Sequence, residues 1–184
     1  MQKTLTADLT LHTFSHCDLI PLRPDALWLL DRGAVRTLTW NEEGTVVTLG
    51  YWGSGDVVGQ PLSNLKPYQI ECLTSVEACC IPLDQSYRIL DAIWRHSQQT
   101  EELLCLVHSE RIPQRLQQFL VWLARKFGRK VEQGQLIDLR LTHQELAEVV
   151  GTTRVTVTRQ LKQFERDGII SRPRRNFIVL HDLL

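Results

Sequence analysis

The sequence predicts an α+β protein: an N-terminal β-roll of jelly-roll type, a long helix, and a C-terminal winged helix-turn-helix. Three observations predict it. Short apolar runs broken by Gly, Pro and Asn fill the chain up to Pro82, whereas from Asp84 to His108 neither Gly nor Pro occurs and apolar residues take helical spacing. Charge then divides the chain. Arg111–Leu184 carries 14 Lys plus Arg against 7 Asp plus Glu, and the preceding segment carries 7 against 14. The zero net charge of the 184 residues therefore averages an acidic part and a basic one, and only the second suits a polyanion; two independently solvated surfaces are the alternative. The expected division is a β-roll over 1–85, a dimerisation helix and hinge over 86–110, and a nucleic-acid-binding domain over 111–184.

With 43% apolar and 23% charged residues the composition is that of an ordinary globular protein. No apolar run approaches the roughly 18–20 residues of a membrane span, and Met1–Thr13 lacks the basic start and apolar core of a signal peptide. A cytoplasmic protein without a membrane partner is expected. Cys17, Cys72, Cys79, Cys80 and Cys105 are odd in number and form no C-x-x-C pair. Reduced, mostly buried thiols are the simpler reading, with a thiol sensor as the alternative; no cofactor or metal is expected.

The strands read in order. Ala26–Leu30 and Val35–Trp40 flank Asp31-Arg32-Gly33, and Asn41-Glu42-Glu43-Gly44 turns the chain into Thr45–Trp52. Gly53-Ser54-Gly55-Asp56 precedes Val57-Val58-Gly59, and Gln69–Leu73 and Val76–Ile81 complete the set. Many short strands with Gly at the corners are the signature of a β-roll. Neighbouring Cys79 and Cys80 on such a strand point to opposite faces.

In the long helix, Ile89, Ile93, His96, Thr100, Leu103 and Val107 alternate at spacings of four and three, the pattern of a coiled-coil seam with a polar middle. This stripe serves either a homodimer interface or the chain's own β-roll. Beyond Pro113, Gln114–Phe127 is a second helix with Leu116, Phe119, Leu120 and Leu123 on one face. Gly128–Gly134 reads as a basic loop and Leu136–Leu139 as a short strand.

Thr142-His143-Gln144-Glu145 has the form of a capping box, opening a helix over Gln144–Val150. Small Ala147 lets a second helix cross closely, and Gly151 permits the tight turn. Thr152 or Thr153 then caps a helix that runs to Asp167 and stops at Gly168. The stretch Thr152–Thr158 alternates like a strand, but Val157, Leu161 and Phe164 continue it at helical spacing and decide for helix. Val155, Arg159, Lys162 and Arg166 fall on the opposite face, with Arg154 in the first turn. A recognition helix needs this layout, because its N-terminal residues meet base edges in the major groove. Arg154 and Arg159 can donate bidentate bonds to guanine, and Val155 can touch a thymine methyl. The hydroxyls of Thr142, Thr153, Thr156 and Thr158 suit phosphate oxygens, as does Lys162. Ile169–Ser171 and Asn176–Leu180 form a hairpin around Arg172-Pro173-Arg174-Arg175. Its three arginines, Arg172, Arg174 and Arg175, read as a wing on the phosphate backbone or as a solvated turn.

These residues resemble a known family. The stretch L-T-H-Q-E-L-A-E-V-V-G-T-T-R-V-T-V-T-R-Q-L-K-Q-F-E-R-D-G-I-I is similar to the DNA-binding domain of the Crp–Fnr regulators, and its G-x-T-R-V-T-V-T-R core is most similar to the cyanobacterial global nitrogen regulators. D-R-G-A-V-R, E-E-G-T-V-V-T-L and G-S-G-D-V-V-G fit the family's β-roll. The resemblance implies a homodimeric transcription regulator on palindromic double-stranded DNA. It further implies GTA-type half-sites read by Arg154, Val155 and Arg159, a hinge near Glu110–Ile112, and a surface at Phe127–Gln135 for RNA polymerase.

The sensing half departs from the family pattern. Cyclic-nucleotide sensors follow a Gly of their phosphate cassette with Glu, and place an Arg-Ser or Arg-Thr pair soon after. Here Gly59 precedes Gln60-Pro61-Leu62, and no Arg occurs between Arg36 and Arg88. An anionic effector such as cyclic AMP or 2-oxoglutarate lacks its cation here. The family's N-terminal cysteine cluster is missing, and the chain starts close to its first expected strand. Two alternatives to a DNA-binding regulator arise. A cupin-like metal-dependent enzyme needs clustered His and Glu, but the strand region holds only His12 and His16. An effector-binding module with an incidental basic tail would not need an ordered helix-turn-helix.

Overall fold

The computed structural model describes residues 10–108, 111–174 and 176–181. Glu110 of the expected hinge and Arg175 of the expected wing lie outside the described residues. The chain divides into two compact units, Met1–Glu102 and Leu103–Leu184. No described helix is long and apolar enough to cross a membrane.

The first unit contains two antiparallel sheets. One takes the order β1-β7-β2-β5, from β1 (Leu11–Phe14), β2 (Ala26–Arg32), β5 (Val57–Val58) and β7 (Val76–Pro82). The other takes the order β4-β3-β6, from β3 (Val35–Trp40), β4 (Val46–Trp52) and β6 (Gln69–Cys72). Period-two alternation gives each strand an inward face. Trp28, Leu30, Val35, Trp52, Ile70 and Val76 meet in the principal core of the roll. Strand β7 presents Ala78 and Cys80 to this core and Cys79 and Ile81 to a second one. There Leu27, Val57, Cys79 and Ile81 are covered by Ile89 and Ala92, at the end of a 3-10 segment (Leu83–Ile89) and the start of α1 (Leu90–Val107).

The second unit packs α2 (Ile112–Phe127), α3 (His143–Val150) and α4 (Arg154–Arg166) with a four-stranded sheet of order β10-β11-β9-β8. Its strands are β8 (Gly128–Val131), β9 (Gly134–Ile137), β10 (Ile170–Ser171) and β11 (Ile178–Leu180). The segment expected as a basic loop is therefore half of a hairpin, in which Arg129 faces Leu136 and Lys130 faces Gln135. Exposed cations on an edge strand hide the alternation that marks a strand, and they discourage pairing with a further edge. Gly134 makes the return with φ 137°, where a Cβ would meet the Leu180 carbonyl oxygen at 2.1 Å.

Candidate nucleic-acid interface

The helix-turn-helix is built as the local chemistry dictates. Thr142 Oγ1 accepts from the Glu145 N–H at 3.2 Å, and Glu145 Oε2 accepts from the Thr142 N–H at 2.6 Å, closing the capping box of α3. Gly151 ends α3 in the left-handed region, φ 65°, and its N–H donates to the Ala147 carbonyl. Arg115 of α2 donates to the Val150 carbonyl at 2.7 Å, satisfying one of the bonds that α3 leaves open at its C-terminus. Thr153 caps α4 by accepting from the Thr156 N–H at 3.2 Å. Burial of Val157, Leu161 and Phe164 fixes the rotation of α4, so the β-branched start of this segment becomes helix despite its strand propensity.

The opposite face of α4 is left to solvent. Arg154, Val155, Thr158, Arg159, Lys162 and Arg166 line one groove, and Val155 is 78% exposed. Among the described residues Arg154, Arg159 and Lys162 form no ion pair. The three residues expected to read bases, Arg154, Val155 and Arg159, thus share one surface.

The expected phosphate contacts divide. Thr142, Thr153 and Arg174 are exposed, and the Thr142 and Thr153 hydroxyls also cap helices. Thr156 is half-buried, its hydroxyl 3.0 Å from that of Thr153. Thr158 and Arg172 are half-buried and engaged in bonds within the domain. Arg172 Nη2 donates to Glu165 Oε2, and Arg172 Nη1 lies 3.3 Å from His143 Nε2. His143 Nδ1 lies 2.8 Å from Thr158 Oγ1, which also lies 2.8 Å from the Arg154 carbonyl. A guanidinium can only donate, so Nε2 accepts and Nδ1 carries the proton, donating to Thr158, whose own hydroxyl donates to the Arg154 carbonyl. His143 and Glu165 carried no signal in the sequence reading, because each partner lies on a different element. His143, Glu165 and Arg172 border a cavity of about 620 Å³ with Thr142, Arg154 and Arg174.

The electrostatics follow from this geometry. Burial, joined by the Arg172 and Arg154 charges, holds the His143 imidazole below its ordinary 6.5. The hydrogen bond from Arg172 holds Glu165 below the usual carboxylate range. That same bond raises Arg172 further.

The first half of the stripe expected at a dimer interface packs on the chain's own β-roll. Ile89 is 4% exposed in the second core, and Ile93 packs against it. His96 stacks on Trp52 with centroids 3.9 Å apart, and its Nδ1 lies 2.9 Å from the Val57 carbonyl oxygen. Thr100 donates to the His96 carbonyl, Leu103 is buried and Val107 is half-buried. Regular spacing reveals that a stripe is covered and not what covers it. One residue out of phase, Leu90, Trp94 and Leu104 form an exposed apolar stripe on α1, with Trp94 62% exposed.

Between the β-roll and α1 lies a cavity of about 490 Å³, lined by Thr37, Trp52, Tyr68, His96, Thr100 and Glu101 among others. Among the described residues no Lys or Arg lines it.

Comparison with known proteins adds a family. A model described as the Crp-like helix-turn-helix domain matches residues 114–183. The regulatory protein CysR of Synechococcus elongatus is 41% identical over 164 residues, 88% of this chain and 79% of that protein. The global nitrogen regulator of Synechocystis is 30% identical over 172 residues, 84% of this chain and 76% of the relative. Among solved structures, a CRP-family transcriptional regulator from Thermus thermophilus superposes with a TM-score of 0.79 at 21% identity, covering 94% of this chain and 92% of that one.

The lowered His143 value has a consequence for stability. Above pH 6.5 the imidazole is neutral in both folded and unfolded chains and contributes no pH dependence. Below it the unfolded chain takes up the proton first, so stability falls with pH until the lower folded value is reached, and is level beyond. His143→Gln is expected to flatten this part of the profile, measured by thermal unfolding as the pH is lowered from neutrality.

Proposed function

Because the chain belongs to the Crp/Fnr family of transcription regulators, we propose that it binds palindromic double-stranded DNA as a homodimer, reading GTA-type half-sites with α4. The observation that carries this reading is Val155. An apolar residue 78% exposed between two arginines has no use in the fold, but fits a thymine methyl in the major groove. Arg154 and Arg159 flank it at positions from which bidentate bonds to guanine are available. Thr142, Thr153, Thr156, Lys162 and Arg174 supply phosphate contacts, which position the helix without specifying sequence.

The dimer face we propose is the stripe of Leu90, Trp94 and Leu104, since a water-exposed Trp on a helix is a costly feature unless another surface covers it. The β8–β9 hairpin, with its exposed Arg129 and Lys130, is the surface we assign to RNA polymerase. The 490 Å³ cavity is suited to a neutral or cationic effector rather than an anionic one, because no Lys or Arg lines it among the described residues. The enzyme alternative fails: the relatives and structural neighbours are transcription regulators.

Three outcomes are expected. In a gel-shift on a GTA-type palindrome, Arg154→Ala with Arg159→Ala loses about 2–6 kcal/mol of discrimination per half-site, at roughly 1–3 for each bidentate pair. Undiminished binding by that double variant defeats the assignment of readers. In sedimentation, Leu90→Glu with Trp94→Glu gives monomers where wild type gives dimers; a dimer that persists removes this face from consideration. Cyclic AMP leaves the thermal midpoint unchanged, and an upward shift would place an anion in the cavity.

A further inference from the structure

Resting on the DNA-binding reading above, we propose that Glu165, His143 and Thr158 are positioning residues that turn Arg172 into a strut between the wing and the recognition helix, so that Arg172 does not contact phosphate. The structure supplies the parts. Arg172 follows β10 at the root of the wing, Glu165 and Thr158 lie two turns apart on α4, and His143 is the first residue of α3. One guanidinium reaches all three elements, donating through Nη2 to Glu165 and through Nη1 to His143. His143 passes the connection to Thr158, and Thr158 ends it on the main-chain carbonyl of Arg154. The chain of bonds runs in one direction, each donor and acceptor defined by the fact that Arg172 has nothing but protons to offer.

Burial agrees with a strut. The Arg172 side chain is 22% exposed, against an exposed Arg174 two residues on. Its Nε is sealed from solvent without a partner among the described residues, so the guanidinium would have to leave this nest to meet a phosphate. Leaving it would strip Glu165 of its hydrogen-bond partner beside a polyanion. A wing fixed before binding spares the complex the cost of ordering it, which is how a residue that never touches DNA contributes to affinity.

The two roles for Arg172 differ in salt dependence, and in whether lysine substitutes. A phosphate ligand displaces counterions, so its loss lowers the slope of log affinity against log salt by about one per protomer. A lysine keeps that charge. A strut has no such slope, and lysine cannot fork between Glu165 and His143. Binding to the GTA-type duplex is therefore measured by fluorescence anisotropy over a range of salt. Arg172→Lys and Arg172→Ala are both expected to weaken binding by about tenfold with the wild-type slope. Glu165→Gln weakens it comparably, and adding it to Arg172→Ala brings no further loss. Arg174→Ala, the control, reduces the slope. Wild-type affinity in Arg172→Lys, a slope reduced by about one per protomer in Arg172→Ala, or tighter binding by Glu165→Gln each overturns the strut. Thermal melting checks that each variant folds; Thr158→Val, which changes no charge, replaces any that does not and is expected to weaken binding with an unchanged slope. Wild type that binds no duplex fails the DNA reading itself, a result distinct from any difference among the variants.

Discussion

The second unit depends on the burial of one apolar stripe, Val157, Leu161 and Phe164, along a helix whose remaining surface, Val155 apart, is polar or charged. By local propensity the start of this helix belongs in a strand. Threonines and valines in alternation lose rotamer freedom in a helix, and a peptide of this length is marginal in water. The stripe supplies what propensity withholds. Its spacing closes a continuous face only if the segment is helical, and α3, which packs on α4, buries Leu146, Ala147 and Val150. Once the rotation of α4 is set, every outward residue has its place. Arg154, Val155 and Arg159 look away from the core because Val157 and Leu161 look into it.

Local devices hold the two helices in register. The capping box starts α3, left-handed Gly151 stops it, and Thr153 starts α4 two residues later. Each of the two threonine caps is worth about 1 kcal/mol. Arg115 adds a bond from α2 to the end of α3. A small domain with a modest core relies on such terminal bonds, because few residues are available to share the burden.

Features of this kind were legible in the sequence, being local. The capping box is four consecutive residues, the turn is one glycine, and the stripe of α4 is a period. The β-roll strands were visible for the same reason, as alternation between turn residues. What escaped was pairing between distant residues. Strand β8 looked like a loop because its exposed face carries charge and its partner is defined only across a turn. The stripe of α1 was legible as a period but not its occupants, since the partners of Ile89 and His96, the chain's own Val57 and Trp52, lie far away in sequence. The bonds of Thr158 and Arg172 were not legible because Glu165 and His143, seven and 29 residues from Arg172, only become neighbours in the fold. The family resemblance filled in topology but not these particular bonds.

The division of α4 into a buried face and an exposed one also bears on how such a regulator diverges. Val155 is 78% exposed and touches no core, so replacing it leaves folding stability almost untouched. The residue we propose to choose a base is thereby uncoupled from the residues that hold the helix in place. A lineage can retune its target sites by single substitutions at this position without first acquiring a stabilising reserve. Drift in operator preference is thermodynamically neutral for the protein, and the constraint on it comes from the genome's binding sites rather than from the fold.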